Sequence, residues 1–140
     1  MSNRVSTFIG LEHHLSDLKR QHLCYLATPY SKFPGGMHEA YIAACQLAGQ
    51  LISNGVKVFC PIAHSHVLCE IAGLDPTSHA LWNEQNYPFL YTSTALIVAK
   101  LPSWETSVGI DHEIRDFRRY DSRGDKVIYY MQVLHEDDRS

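Results

Sequence analysis

The segment that most restricts the fold is residues 22–60. It opens on a short apolar run, His-Leu-Cys-Tyr-Leu-Ala at 22–27, rich in strand-forming residues. A loop at 28–36 follows, marked by Pro29, Pro34, Gly35 and Gly36. From 37 to 54 the apolar residues Met37, Ala40, Tyr41, Ala44, Leu47, Ala48, Leu51 and Ile52 recur at helical spacing, and Asn54-Gly55 supplies a stop. Val-Lys-Val-Phe-Cys at 56–60 reads as a second strand, closed by Pro61. A strand, a crossover helix and a second strand at this separation predict a parallel, right-handed unit.

The rest of the chain continues the alternation. Residues 62–74 are expected to begin as a loop and to hold a short helix at 66–72, with Gly73 and Pro76 as breaks. A helix is predicted over 77–91, a third strand over 94–101, a helix over 106–120 and a fourth strand over 126–133, after a turn at Arg123-Gly124. The order β-α-β-α-α-β-α-β predicts an α/β domain at 22–134. Its sheet would be single, doubly wound (Rossmann-like or flavodoxin-like) and mostly parallel, with four to five strands flanked by helices. Residues 1–21 are polar and weakly patterned. Leu11, Leu15 and Leu18 fit a short amphipathic helix at about 10–20, read as an N-terminal extension used for packing or oligomer contact. Residues 135–140 read as a polar, frayed tail.

A chain of 140 residues with 45% apolar and 19% charged residues suits one globular domain and argues against disorder. The net charge of −3 and a pI near 6.3 give no basic footprint for a nucleic-acid polymer. No apolar run approaches the roughly 18 residues that span a membrane, and residues such as His13, His14, Lys19 and Arg20 leave no signal-peptide core. A cytoplasmic protein is expected. Cys24, Cys45 and Cys60 lie in apolar segments, so these and Cys69 read as reduced thiols rather than a disulfide framework.

In an open α/β sheet, ligands bind at the carboxyl ends of the strands. That edge should gather residues 27–31, 61–66 and 101–113, with the helix near 82–91 beside them. Tyr25, Tyr30 and Ser31 come from the first segment, His64, Ser65 and His66 from the second, and Trp104, Ser107 and Glu113 from the third. Trp82 and Asn86 come from the helix. The mixture of aromatic and polar groups suits a small planar ligand with hydroxyl or phosphate groups. There is no Gly-x-Gly-x-x-Gly after the first strand and no Gly-x4-Gly-Lys, which disfavours Rossmann-type dinucleotide binding and P-loop chemistry. Cys60-x3-His64-x-His66-x2-Cys69 holds two thiols and two imidazoles, but not at the spacing of a familiar zinc site, so no metal site is assigned.

Tyr25-Leu-Ala-Thr-Pro-Tyr-Ser31 resembles the first-strand signature of the nucleoside 2-deoxyribosyltransferase-like superfamily. So does Ser107-x-Gly109-x-x-x-Glu113 after the third strand. Pro61-Ile62-x-His64-Ser65-His66, Gly73-Leu74, Trp82 and Trp104-x-x-Ser107-x-Gly109-x-x-x-Glu113-Ile114 resemble more closely an uncharacterised bacterial and phage domain family within that superfamily. The resemblance covers roughly residues 22–133.

The resemblance implies an enzyme that cleaves or exchanges the N-glycosidic bond of a nucleoside or nucleotide, with no metal or organic cofactor. A glutamate attacks the anomeric carbon, and water or a second base resolves the glycosyl-enzyme. The match makes Glu113 that nucleophile and Tyr25 its hydrogen-bonding partner. Taken alone, Glu113 also fits a solvated helix residue paired with Arg115, Arg118 or His112, and Tyr25 a core tyrosine.

At position 107 the nucleoside transferases commonly carry Asp and the nucleotide hydrolases Ser. A hydroxyl can donate to a 5′-phosphate that a carboxylate would repel. Ser107 therefore implies a 5′-monophosphate substrate, with Gly109 and Ser31 as further donors. His64, His66 and Trp104 would shape the pocket. Ser107 or Thr106 also fits a helix N-cap.

Two departures stand out. Asn86 matches the position of the acid that protonates the leaving base, and Asn cannot do so. Glu84 or Asp75 would have to serve, or the domain would be a nucleotide-binding or sensing module with little turnover. The second departure is Ser103, where the family usually has Gly before Trp104. Superfamily members assemble as dimers or larger oligomers, which implies a homo-oligomer here.

Overall fold

The computed structural model describes residues 4–137. In chain order the elements are β1 (Arg4–Phe8), a 3₁₀ turn (Leu11–His13), α1 (Leu15–Arg20), β2 (Cys24–Ala27), α2 (Met37–Ser53), β3 (Val58–Phe59) and α3 (Pro61–Ala72). Then come α4 (His79–Thr92), β4 (Ala95–Lys100), a second 3₁₀ turn (Trp104–Thr106), α5 (Val108–Arg119) and β5 (Val127–Asp137). The five strands form one mixed sheet in the order β1-β5-β4-β2-β3. β2, β3, β4 and β5 are parallel to their neighbours, and β1 runs antiparallel to β5 at the edge.

Alternation along the strands sends side chains to two separate cores. Cys24 and Leu26 of β2, Ala95, Ile97 and Ala99 of β4, and Met131 of β5 pack on one face with α2 residues Ala44, Leu47 and Leu51 and with Leu18 of α1. Tyr25, Ala27, Leu96 and Val98 point the other way, onto Leu90 of α4 and Ile110 and Phe117 of α5. Helices therefore cover both faces. Between the layers, β4 is buried along Ala95–Ala99, as a central parallel strand should be.

The N-terminal segment, read as an extension used for packing or oligomer contact, packs into the fold and adds a strand to it. Residues 4–8 form a strand of the sheet, and Phe8, Leu11 and Leu18 sit in the first core. The helical spacing of Leu11 and Leu18 is visible in the sequence, whereas the strand at 4–8 has no local pattern. The outer backbone edge of β1 is satisfied by α2. Gln46 Oε1 accepts from Ser6 N at 2.8 Å and Gln50 Oε1 from Phe8 N at 3.0 Å, while Gln50 Nε2 donates to Ser6 O at 2.8 Å. Side chains bonded to an edge strand in this way hinder its pairing with another chain. The expected frayed tail also differs, because β5 continues through His135 and Glu136 opposite β1; residues 138–140 lie outside the described region.

A third difference matters for the site. Residues 61–72 are helical from Pro61 onward, not a loop followed by a short helix. Proline is favoured in the first turn of a helix, where its missing N–H costs nothing, and Gly73 ends α3 in the left-handed conformation (φ 71°). All four cysteines are free thiols. Among the described residues, no helix is long and apolar enough to cross a membrane.

Candidate functional site

From β2 the chain crosses to β3 on one side and later returns to β4 on the other, so the loops after β2 and β4 diverge and leave a cleft between them. Lys32 Nζ of the first loop donates to Thr106 O of the second at 3.1 Å and ties the two together. Side chains from β2, the two loops, α3, α4 and α5 line this cleft, which encloses about 860 Å³ with its open mouth included.

Glu113 lies about two turns into α5, half-buried, with its carboxyl group in the cleft. Tyr25, almost wholly buried on β2, donates its hydroxyl hydrogen bond to that carboxylate. Burial pushes the Glu113 pKa from 4.5 to about 8, against the opposing pull of the Tyr25 hydrogen bond. Burial, followed by the adjacent Glu113 charge, pushes the Tyr25 phenol well above its ordinary value. The phenol therefore stays a donor at any physiological pH.

Ser107 is the N-cap of α5, and its Oγ accepts from Ile110 N at 3.2 Å. The capping and ligand-binding readings of this residue are compatible. The cap uses a lone pair of Oγ, whereas the O–H remains free to donate into the cleft that Ser107 lines. Gly109, one turn before Glu113, also lines the cleft, as do Ser31 and Asn86. Thr28, on the same wall, has a buried hydroxyl with no hydrogen-bond partner among the described residues.

Three expected pocket residues lie elsewhere. The early start of α3 is the reason for two of them. His64 sits one turn into the helix, exposed, with its ring near Phe59. His66 faces α2, stacked on Tyr41, and reaches the cleft only through the hydroxyl of Tyr30, which meets its Nδ1 at 2.6 Å. Trp104 packs away from the cleft, against Tyr130 and beneath Lys100. The cysteine–histidine set at 60–69 does not converge either. Among the described residues, none of the cleft-lining side chains forms a group of three donors able to close on a metal ion.

Ser103 stands at a turn whose geometry favours glycine. Its backbone is left-handed (φ 73°), the only such non-glycine among the described residues. That conformation costs a side-chain-bearing residue roughly 1–2 kcal/mol, and the Ser103 hydroxyl is buried without a partner. Ser103→Gly is expected to raise the Tm by about 2–4 °C, corresponding to about 1 kcal/mol after the added chain entropy of glycine. Thermal unfolding followed by circular dichroism measures it, and an unchanged or lower Tm would show that the turn is unstrained.

Asp75 and Glu84, the two alternative acids, do not line the cleft. Asp75 instead holds an Asx turn, accepting from Thr77 N at 2.9 Å and from Thr77 Oγ1 at 2.8 Å. Titratable residues that the sequence reading passed over do line it, Asp116 and His79 among them. Asp116 is three residues beyond Glu113 on the same helix face and pairs with Arg115 at 3.2 Å and Arg119 at 3.1 Å. Its i+3 spacing from Glu113 was the available signal. His79 opens α4 beside the ring of His112, and no periodicity marks it.

The family model for a domain of unknown function, DUF1937, matches residues 22–132. The chain belongs to the DUF1937 family. The matched region begins just before β2 and ends within β5, so it contains every cleft-lining residue named above. No curated protein matches the chain. In this DUF1937 member, β1, the first 3₁₀ turn and α1 precede the matched region and complete the sheet edge and first core.

Proposed function

We propose that this DUF1937 protein is an N-glycosidase or deoxyribosyltransferase-like enzyme of the nucleoside 2-deoxyribosyltransferase-like superfamily, acting on a (deoxy)nucleoside 5′-monophosphate. The Glu113–Tyr25 pair in a strand-end cleft carries this reading. The carboxylate forms a C–O bond to the anomeric carbon while the C–N bond breaks, and the electron pair leaves with the base. Water, or the nitrogen of a second base, then displaces Glu113. Tyr25 holds the carboxylate in position. Ser107 and the amide of Gly109, at the N-terminus of α5, supply donors for the 5′-phosphate. The departing base needs a proton that Asn86 cannot give. His79 is the cleft side chain best suited, since an imidazole ring nitrogen can donate a proton as a general acid.

The finer reading of the sheet, a doubly wound Rossmann-like domain, fits the parallel order β3-β2-β4-β5. A homo-oligomer remains part of this reading by resemblance to the superfamily. A cytoplasmic location accords with four free thiols.

The test is a panel of nucleosides and their 5′-monophosphates assayed for free base. Release from monophosphates, and not from nucleosides, is expected. Ser107→Asp should reverse that preference by about 10–100-fold, the effect of a few kcal/mol of repulsion between like charges. Because Asp is also a good N-cap, the variant keeps the start of α5. Equal turnover of both substrate classes by the wild type would remove the phosphate assignment. Asn86 favours a second reading, a nucleotide sensor that binds without turnover; tight binding with no base release by the wild type would select it.

A further inference from the structure

Outside the cleft, α2 and α3 bring together His38, His66 and Glu70. One ligand atom from each lies within 4.8 Å of the others. His66 and Glu70 are one helical turn apart on α3, with Nε2 and Oε1 separated by 3.1 Å. His38, in the first turn of α2, places Nδ1 3.7 Å from the same Oε1. A tetrahedral zinc ion bonded at about 2.0–2.1 Å keeps its donors roughly 3.3 Å apart. The trio is therefore already close to that spacing.

The His66 ring is fixed as a ligand would need. It is 6% exposed and stacks on Tyr41 with centroids 4.4 Å apart. Its Nδ1 meets the Tyr30 hydroxyl at 2.6 Å, whereas its buried Nε2 makes no hydrogen bond, the Glu70 oxygen being near enough but without the geometry. An imidazole with one nitrogen held by an outer partner and the other left bare toward a carboxylate and a second imidazole has the form of a metal ligand with its supporting residue. His38 and Glu70 are exposed, so the remaining coordination position opens to solvent.

We propose that His38 Nδ1, His66 Nε2 and Glu70 bind a divalent first-row transition ion, zinc foremost, in a three-ligand site with an open position. The donor set of two imidazoles and one carboxylate suits zinc at such open sites. The ion holds the remaining ring proton of His66 on Nδ1, which then donates to the Tyr30 oxygen. Tyr30 lines the ligand cleft, so its hydroxyl hydrogen is released toward the cleft. The site thereby links the α2–α3 seam to the cleft wall, and it stands whether or not the cleft is catalytic.

The test uses the full chain, freed of any histidine tag and stripped with chelator. It is titrated with zinc chloride by calorimetry and with cobalt(II) by visible absorption. One ion per chain is expected, with cobalt ligand-field bands and no thiolate charge-transfer band. His38→Ala and Glu70→Gln, both exposed positions that leave the core intact, should each weaken zinc binding by at least about 10–100-fold. Cys45→Ser and Cys69→Ser should leave it unchanged. Absence of saturable uptake overturns the proposal. So does uptake insensitive to both His38→Ala and Glu70→Gln, or uptake lost with either cysteine.

Discussion

Glu113→Gln is expected to lower kcat/KM for base release by about 10³-fold or more, the scale seen when a covalent nucleophile is removed. The substitution is chosen for its shape. Glutamine fills the same volume on α5 and can still accept the Tyr25 hydrogen bond, so the cleft wall and the second core are preserved. What it loses is the anion. An amide oxygen is a poor nucleophile toward an anomeric carbon and does not form the ester that water later opens. Steady-state assay on the preferred monophosphate gives the rate, and calorimetric titration of the same nucleotide gives the binding. Wild-type turnover in Glu113→Gln would exclude covalent catalysis by this residue. Loss of both turnover and nucleotide binding would point to a role in holding the ligand.

The second large effect concerns pH, with opposite signs for stability and rate. Folding raises the Glu113 pKa from 4.5 to about 8. Between those values the unfolded chain has released a proton that the folded protein retains. The stability contributed by the neutral carboxyl is full below about 4.5 and is lost as pH rises through about 8. Glu113→Gln removes this slope. The variant should match the wild type near pH 4.5 and exceed it by about 1–3 kcal/mol at pH 8. This is less than the whole shift implies, since water in the cleft reaches the carboxyl. Urea unfolding at the two pH values measures the difference, and parallel pH profiles for the two proteins would contradict the assignment. Over the same interval the nucleophilic carboxylate becomes more populated, so kcat/KM should climb about tenfold per pH unit and level off near 8. The protein would thus be most active where this residue destabilises it most.

The strand–helix–strand segment was legible because α2 repeats its apolar face over four turns and both flanking strands are apolar throughout. The start of α3 was not. His64 and Ser65 look like loop residues ahead of a short helix from His66, and the earlier helix start follows from Pro61 initiating a turn directly after β3. That one-element difference moved both histidines out of the cleft. β1 was equally hidden. A strand of five residues held by Gln46, Gln50 and the far end of β5 has no local signature. At the site, Glu113, Tyr25, Ser107, Gly109, Ser31 and Asn86 line one cleft because the sheet topology brings β2, the loop after it, α4 and the first half of α5 together. Asp116 and His79 escaped notice because one reads as a surface partner of arginines and the other opens α4, a helix with no clear apolar face.

β1 is held by two anchors of very different reach. Its bonds to α2 span 40 to 44 residues of sequence, whereas the Ser6–His135 contact with β5 spans 129. Loop-closure entropy grows with the length of chain enclosed. The nearer anchor therefore costs less to form, and during synthesis its partners exist long before β5 does. The two glutamines can hold β1 against α2 in the interim, as a placeholder for a neighbour not yet made. When β5 arrives, it enters a slot with β4 on one side and a waiting antiparallel partner on the other, so the longest-range pairing in the sheet closes between surfaces already in place.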